Sequence, residues 1–211
     1  MKIQLALDLS TITAALKLLE EVHEYIDIAE VGSPLIACEG FHAIRAIKEH
    51  YPDLTVLADC KIVDGASFIG GMAYDAGADI VTVMAFANDY TILQHAITAH
   101  RYGKLAEVDM MEIENIKQRS QELLDMGIDI IGMHASAEAL RPNEVHINRI
   151  KQMLSVVPSE KACIANSLTF ETMEQILVFK PGIVVISGPI LQAKDKVVAA
   201  KRVKAIFDKY R

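Results

Sequence analysis

Short apolar runs rich in β-branched residues recur along the chain at 3–8 (IQLALD), 26–31 (IDIAEV), 54–58 (LTVLA), 79–84 (DIVTVM), 104–108 (KLAEV), 128–133 (IDIIGM), 161–165 (KACIA) and 182–186 (GIVVI). Between these runs the apolar spacing lengthens to that of a helix. Ala15, Leu18, Leu19 and Val22 fall at i, i+3, i+4 and i+7, and Ile44 and Ile47 continue the pattern. Strands that are apolar at consecutive positions bury both faces, which implies parallel strands covered by helices.

The alternation of strand and helix is accompanied by an internal echo. "YDAGADIVTVMA" at 74–85 resembles "LDMGIDIIGMHA" at 124–135, and in each a glycine, Gly77 or Gly127, ends a helix just before a strand. These patterns predict an α/β protein, a closed eight-stranded parallel (β/α)8 TIM barrel built by residues 1–211 as a single domain. Units of roughly 26 residues are tight for this architecture but workable with short loops. A doubly wound open sheet is the rival fold. It is weakened because "ALDLSTIT" stands where a G-x-G-x-x-G turn would follow the first strand.

Side chains at the C-terminal ends of barrel strands converge on one mouth. Here those ends carry Asp8, Glu30, Asp59 with Lys61, Asp109 and His134, nearly all ionisable. Alternation in an extended segment puts Asp59 and Lys61 on one face and turns Cys60 away. A Lys61 salt bridge to Asp59 or Asp8 would serve structure alone, yet a lysine flanked by acids at a barrel mouth favours a site. Asp64 lies where the next helix begins and suits either its N-cap or a functional role. For the helix after Asp8, Ser10 or Thr11 is the stronger cap. Glu30 and Asp59 are hard oxygen ligands on neighbouring strands and suit Mg²⁺, or Mn²⁺ in its place. A metal there would stabilise an enediolate, with Lys61 beside the developing oxyanion and His134 moving a proton.

Composition narrows the partners. A net charge of −7 and a pI near 5.5 argue against nucleic acid, whose phosphates are held by clustered Lys and Arg. No apolar stretch reaches the ~18 residues of a membrane helix, and "MKIQLALDLS" turns polar too soon for a signal peptide, so no membrane association and a cytoplasmic location are expected. Cys38, Cys60 and Cys163 form no CxxC pair and read as reduced thiols. His23, His42, His50, His95 and His100 lie in helical segments without metal-ligand spacing, and His146 sits in a polar stretch, so all six read as background.

Asp59, Lys61 and Asp64 form D-x-K-x-x-D at the end of the third run, and this resembles the orotidine 5′-monophosphate decarboxylase suprafamily of β/α barrels. "QLALDL", "IAEVGSPLI", "LADCKIVDG" and "AYDAGADIVTVMA" look like its 3-hexulose-6-phosphate synthase and 3-keto-L-gulonate-6-phosphate decarboxylase branch. Glu30 places an acid where the metal-dependent members carry one. The resemblance implies Mg²⁺ on Glu30 and Asp59, with Asp8 and Lys61 on a sugar phosphate and its enediolate. It also implies a homodimer in which Asp64 reaches the partner's site.

"MHASAEA" and "VISGPI" lack the arginines of the decarboxylase, which leans toward the synthase. That activity joins formaldehyde to D-ribulose 5-phosphate by an aldol step, and reverses it. The decarboxylase and a non-catalytic sugar-phosphate-binding barrel are the alternatives. The phosphate is expected on Asn166, Ser167, Ser187, Gly188 and Pro189, which stand where the family has glycine-rich loops. Proline offers no N–H there, so the phosphate site is altered.

Overall fold

A computed structural model describes residues 1–136, 145–165 and 168–211. Each of the eight apolar runs forms a strand. In chain order the elements are β1 (Lys2–Leu7), α1 (Ile12–Val22), β2 (Ile28–Val31), α2 (Ser33–Glu39), α3 (His42–His50), β3 (Thr55–Ile62), α4 (Ala66–Asp75), β4 (Ile80–Met84), α5 (Asp89–Arg101), β5 (Leu105–Asp109), α6 (Ile116–Asp125), β6 (Ile130–His134), α7 (Ile147–Leu154), β7 (Ala162–Ala165), α8 (Met173–Leu177), β8 (Ile183–Ile186), α9 (Gly188–Leu191) and α10 (Lys196–Asp208). All neighbouring strands pair in parallel and β8 closes on β1, so the sheet is the closed (β/α)8 barrel that the alternation predicts. Among the described residues no helix is long and apolar enough to cross a membrane.

The strand registers stack the inward side chains in layers of four from alternate strands. Ile28, Ile80, Ile130 and Ile183, from the even strands, form the lowest layer. Gln4, Leu57, Glu107 and Cys163 follow from the odd strands, each paired with the layer below on one side and the layer above on the other. Above them come Glu30, Thr82, Gly132 and Val185 from the even strands. Apolar filling thus gives way to polar side chains on rising through the barrel.

The opposite end of the barrel is locked by a repeated aspartate. The residue preceding β2, β4 and β6 is Asp27, Asp79 and Asp129. Their backbone N–H groups donate to the carbonyls of Ile3, Val56 and Ala106 at 2.9, 2.7 and 3.2 Å. Their carboxylates accept the N–H of the same three residues at 2.7, 2.9 and 2.9 Å. Each aspartate therefore holds the start of its strand to one residue of the strand before it, which fixes the register. Gly77 and Gly127, with φ of +108° and +84°, release the chain from the preceding helix as the echo requires. The structure extends that echo to Asp27.

Helix α5 packs on the barrel through His95, which is fully buried. Its Nε2–H donates to the Val81 carbonyl at 2.8 Å, and burial pushes the imidazole down to about 4 from an ordinary 6.5. A histidine held neutral in the fold and free to charge in the unfolded chain gives stability that is complete above the unfolded value. That stability is lost as pH falls toward the folded one. The loss amounts to about 3 kcal/mol. Urea denaturation of the wild type between pH 7 and about 4 is expected to show this decline, and His95→Gln, which keeps a donor for Val81, is expected to flatten it.

Candidate active site

The mouth of the barrel is organised around Asp59, a carboxylate that is only 7% exposed. Oδ2 accepts from Ser33 Oγ at 2.8 Å and pairs with the Lys61 ammonium, while Oδ1 accepts from Thr82 Oγ1 at 3.0 Å. Ser33 opens α2 and also reaches the Asp59 carbonyl at 2.9 Å. Gly32 precedes it, and a Cβ there would displace the Asp8 carboxylate from its place at the rim.

Asp59 and Lys61 reach the same cavity, as the sequence predicts, but by a different route from simple alternation. Pairing of β3 with β4 advances from Ala58–Val81 to Ile62–Val83, so four residues of β3 span two of β4. Within this bulge Lys61 takes φ of +45°, a left-handed conformation that costs a non-glycine residue of order 1–3 kcal/mol and is characteristic of functional sites. Thr82 holds the bulge: its Oγ1 accepts the Lys61 N–H at 3.0 Å and donates to Asp59. The strand therefore runs to Ile62, beyond the apolar run that ends at Ala58. Cys60 packs outward against the core, and burial raises its thiol to about 12, the value of an unreactive cysteine.

Lys61 passes the contact on. Its Nζ lies 3.7 Å from Asp109 Oδ2, and that same oxygen is 2.8 Å from His134 Nδ1. Asp109 Oδ1 accepts the Met111 N–H at 2.8 Å. Burial would lower the Lys61 ammonium, but Asp59, and beyond it Asp109 and Glu30, raise it above its ordinary value, so it stays charged. Burial would raise Asp109, but the His134 hydrogen bond and the Lys61 charge hold it below the usual range, so it stays ionised. An ionised Asp109 keeps the proton on His134 Nδ1 and leaves Nε2 free to exchange one.

Glu30 and Glu107 show the reverse balance. Burial, then the Asp59 charge, pushes Glu30 well above its ordinary value, although Gln4 Nε2 donates to it at 2.8 Å. Burial, then Asp109 and Asp59, raises Glu107 to about 8. Gln4, Ser33, Thr82 and Glu107 escape sequence reasoning because each lies within or beside an apolar run. Only Glu107 carries a legible signal, an acid at an inward position of "KLAEV".

Asp8 sits exposed at the rim and accepts from Ser187 Oγ at 3.2 Å. Thr11 caps α1 in its stead, accepting the Ala14 N–H at 3.2 Å. Ser187, Gly188 and Pro189 line the same cavity of about 1270 Å³ as Asp8, Glu30, Asp59, Lys61 and His134. Asn166 and Ser167 lie outside the described residues. Asp64 stands apart from the cavity of its own chain. It is exposed, and it is not the cap of α4: Gly65, at φ +66°, holds that position without a side-chain bond.

Among the described residues no group of three or more His, Cys, Asp and Glu side chains forms a metal cage. Glu30 and Asp59 line the cavity from neighbouring strands, in a lining that, among the described residues, also holds Asp8, Glu107 and Asp109 against Lys61. Such a donor set fits a hard divalent cation that takes a couple of carboxylates and completes its shell with water and substrate oxygens.

The chain matches the family model described as Orotidine 5′-phosphate decarboxylase / HUMPS family over residues 1–203. Similar curated relatives are 3-hexulose-6-phosphate synthases. That of Staphylococcus epidermidis is 35% identical over 208 residues, covering 99% of each chain. That of Bacillus subtilis is 34% identical over 207 residues, covering 98% of this chain and 99% of its own. The crystal structure of 3-hexulose-6-phosphate synthase from Salmonella typhimurium superimposes with a TM-score of 0.95 at 32% identity over 100% of both chains. KGPDC from Streptococcus mutans superimposes with a TM-score of 0.91 over 99% of this chain and 98% of its own, and at 20% identity that likeness is one of fold.

Because Thr82 serves Asp59 and the Lys61 backbone at once, Thr82→Val is expected to destabilise the protein by about 2–4 kcal/mol in urea denaturation, with Thr82→Ser close to wild type. Equal stabilities for the two variants would show that the hydroxyl does not hold the bulge.

Proposed function

The chain belongs to the orotidine 5′-phosphate decarboxylase / HUMPS family, and we propose that it acts as a 3-hexulose-6-phosphate synthase, a lyase joining formaldehyde to C1 of D-ribulose 5-phosphate and running the reverse cleavage. The observation that carries this reading is the connected set Asp59, Lys61, Asp109 and His134 at the mouth of a barrel whose full-length relatives carry that name.

Glu30 and Asp59 would hold a Mg²⁺ or Mn²⁺ ion. When bound, it supplies positive charge that polarises the ketone and its neighbouring hydroxyl. His134 Nε2 takes the C1 proton, with Asp109 fixing the ring and stabilising the imidazolium through Nδ1. Lys61 lies against the enediolate oxygen as charge develops on it, already ordered by Asp59 and therefore needing little reorganisation. The carbanion carbon then attacks formaldehyde, and the proton held by His134 returns to the new alkoxide. One C–H bond breaks and one C–C bond forms, with no net proton change. Asp8 faces substrate hydroxyls, and the phosphate lies toward Ser187, Gly188 and Pro189.

We also propose a homodimer. Val63, Phe68 and Met72 on the α4 side, and Phe86, Tyr90 and Ile97 on the α5 side, are large apolar side chains left exposed. The two helices are packed together, with Tyr74 and Tyr102 rings 5.4 Å apart, so the exposed groups share one region of the surface. A patch of this kind marks an interaction surface. Asp64 adjoins Val63 and does not line its own chain's cavity, which supports its use in a partner's site.

Purified protein given Mg²⁺, D-ribulose 5-phosphate and formaldehyde is expected to consume formaldehyde, to lose that activity on treatment with a chelator, and to regain it with Mg²⁺ or Mn²⁺. Lys61→Ala is expected to lower turnover by about a thousandfold or more. Formaldehyde left untouched, with CO₂ released from 3-keto-L-gulonate 6-phosphate, would move the chain to the sister activity.

Asp64→Ala and Lys61→Ala are each expected to be inactive alone. Refolded together in equal amounts they are expected to recover about one quarter of wild-type activity, because half the dimers are mixed and each carries one intact site. No recovery would place Asp64 in its own chain's site or outside any site.

A further inference from the structure

The second layer of the barrel interior breaks the apolar filling, and it does so with oxygen atoms that no side chain among the described residues satisfies. Gln4 on β1 is 2% exposed and Glu107 on β5 is 5% exposed, and the two strands face each other across the barrel. Gln4 gives its amide N–H to Glu30, which leaves Oε1 without a partner. Cys163 neighbours Glu107 in the same layer, and Glu107 Oε2 is left without a partner. Gly132 on β6 makes the room: a Cβ there would stand 2.8 Å from Glu107 Oε1. Both side chains line the same cavity as Asp59, Lys61 and His134, so the cavity reaches one layer below the mouth.

Orphaned polar atoms this deeply buried call for an occupant, since leaving one unsatisfied costs about 1–3 kcal/mol. Burial keeps the Glu107 carboxyl protonated at neutral pH, with Asp109 and Asp59 adding to the effect. The floor therefore presents one O–H donor, from Glu107, and one acceptor, Gln4 Oε1. An anion is unsuited to a floor overhung by the carboxylates of Asp59 and Asp109. A group that both accepts and donates suits it well.

We propose that Gln4 and Glu107 form a floor subsite for a single neutral O–H group, filled by a water molecule in the free protein and by a substrate hydroxyl in the complex. The second occupant rests on the sugar-phosphate reading of the site; the first does not. With the floor reserved for a hydroxyl, the sugar enters hydroxyl end first and its phosphate stays at the rim. Glu107 then discriminates against ligands that carry an acid or a methyl group at the deep end.

Glu107→Leu removes the orphaned carboxyl and fills its slot with an apolar side chain. It is expected to raise the Tm of the free protein while weakening D-ribulose 5-phosphate binding, measured by calorimetry, about tenfold to a hundredfold. Glu107→Gln, which retains a donor and an acceptor, is expected to bind within about threefold of wild type. A crystal structure of the free wild-type protein is expected to show a water oxygen within hydrogen-bond distance of Glu107 Oε2. A lower Tm with unchanged binding for Glu107→Leu, or a dry floor in the free crystal, would overturn the proposal. If wild-type protein fails to bind D-ribulose 5-phosphate, the functional reading falls, and the free crystal alone decides the subsite.

Discussion

The mouth of this barrel depends on how one buried carboxylate is shared. Asp59 is withdrawn from water and so must be paired and hydrogen-bonded through both oxygens. Lys61 and Ser33 take one oxygen and Thr82 the other. Satisfying all three partners requires β3 to bulge, because an unbroken strand would not bring the Lys61 N–H to Thr82 Oγ1 while its ammonium returns to Asp59. The positive φ at Lys61 is the backbone consequence. From there the order propagates by contact: Lys61 to Asp109, and Asp109 to His134. Two groups that differ in chemistry, an ammonium and an imidazole, are thus set by one arrangement, and disturbing it displaces both.

Charge explains why the acids around this chain of contacts do not behave alike. Asp109 has a cation and an imidazole beside it and stays ionised. Glu30 and Glu107 have neither in contact; buried among other acids, both rise. A divalent cation on Glu30 and Asp59 would change that balance for Glu30, and an enediolate would in turn offset the cation. Glu107, one layer lower, remains the neutral member of the set, suited to donating a hydrogen bond.

Much of the fold is legible in the sequence because its signals are local. Eight doubly buried strands announce themselves as near-continuous apolar runs, and the glycines at 77 and 127 mark helix ends by backbone conformation alone. Asp8, Glu30, Asp59, Lys61 and His134 are readable as strand ends and do line one cavity. What escapes depends on partners distant in the chain. The end of β3 is decided by Thr82, which lies on another strand and looks like any residue of an apolar run. Glu107 is marked only as an acid inside an apolar run, and the room it finds beside Gly132, on the next strand, is not a local signal. The cap of α4 passes from Asp64 to Gly65 because the bulge delivers the chain to the helix in a left-handed turn.

The two ends of the barrel obey opposite rules, and the contrast locates function. At the N-terminal ends of the strands, Asp27, Asp79 and Asp129 each satisfy a neighbouring N–H with good geometry. Asp79 is further held by Lys48 and Lys104 at 3.0 and 2.6 Å. The same device is used three times, and the left-handed Lys180 (φ +50°) on this side lies in the turn between α8 and β8. Toward the C-terminal ends lie a left-handed lysine, a broken register, two acids pushed up by burial and two orphaned oxygens. A sequence selected for stability alone has no reason to concentrate these in one half. They are tolerated because the locked half holds the register that the strained half needs, and strain of this kind accompanies sites that bind and react.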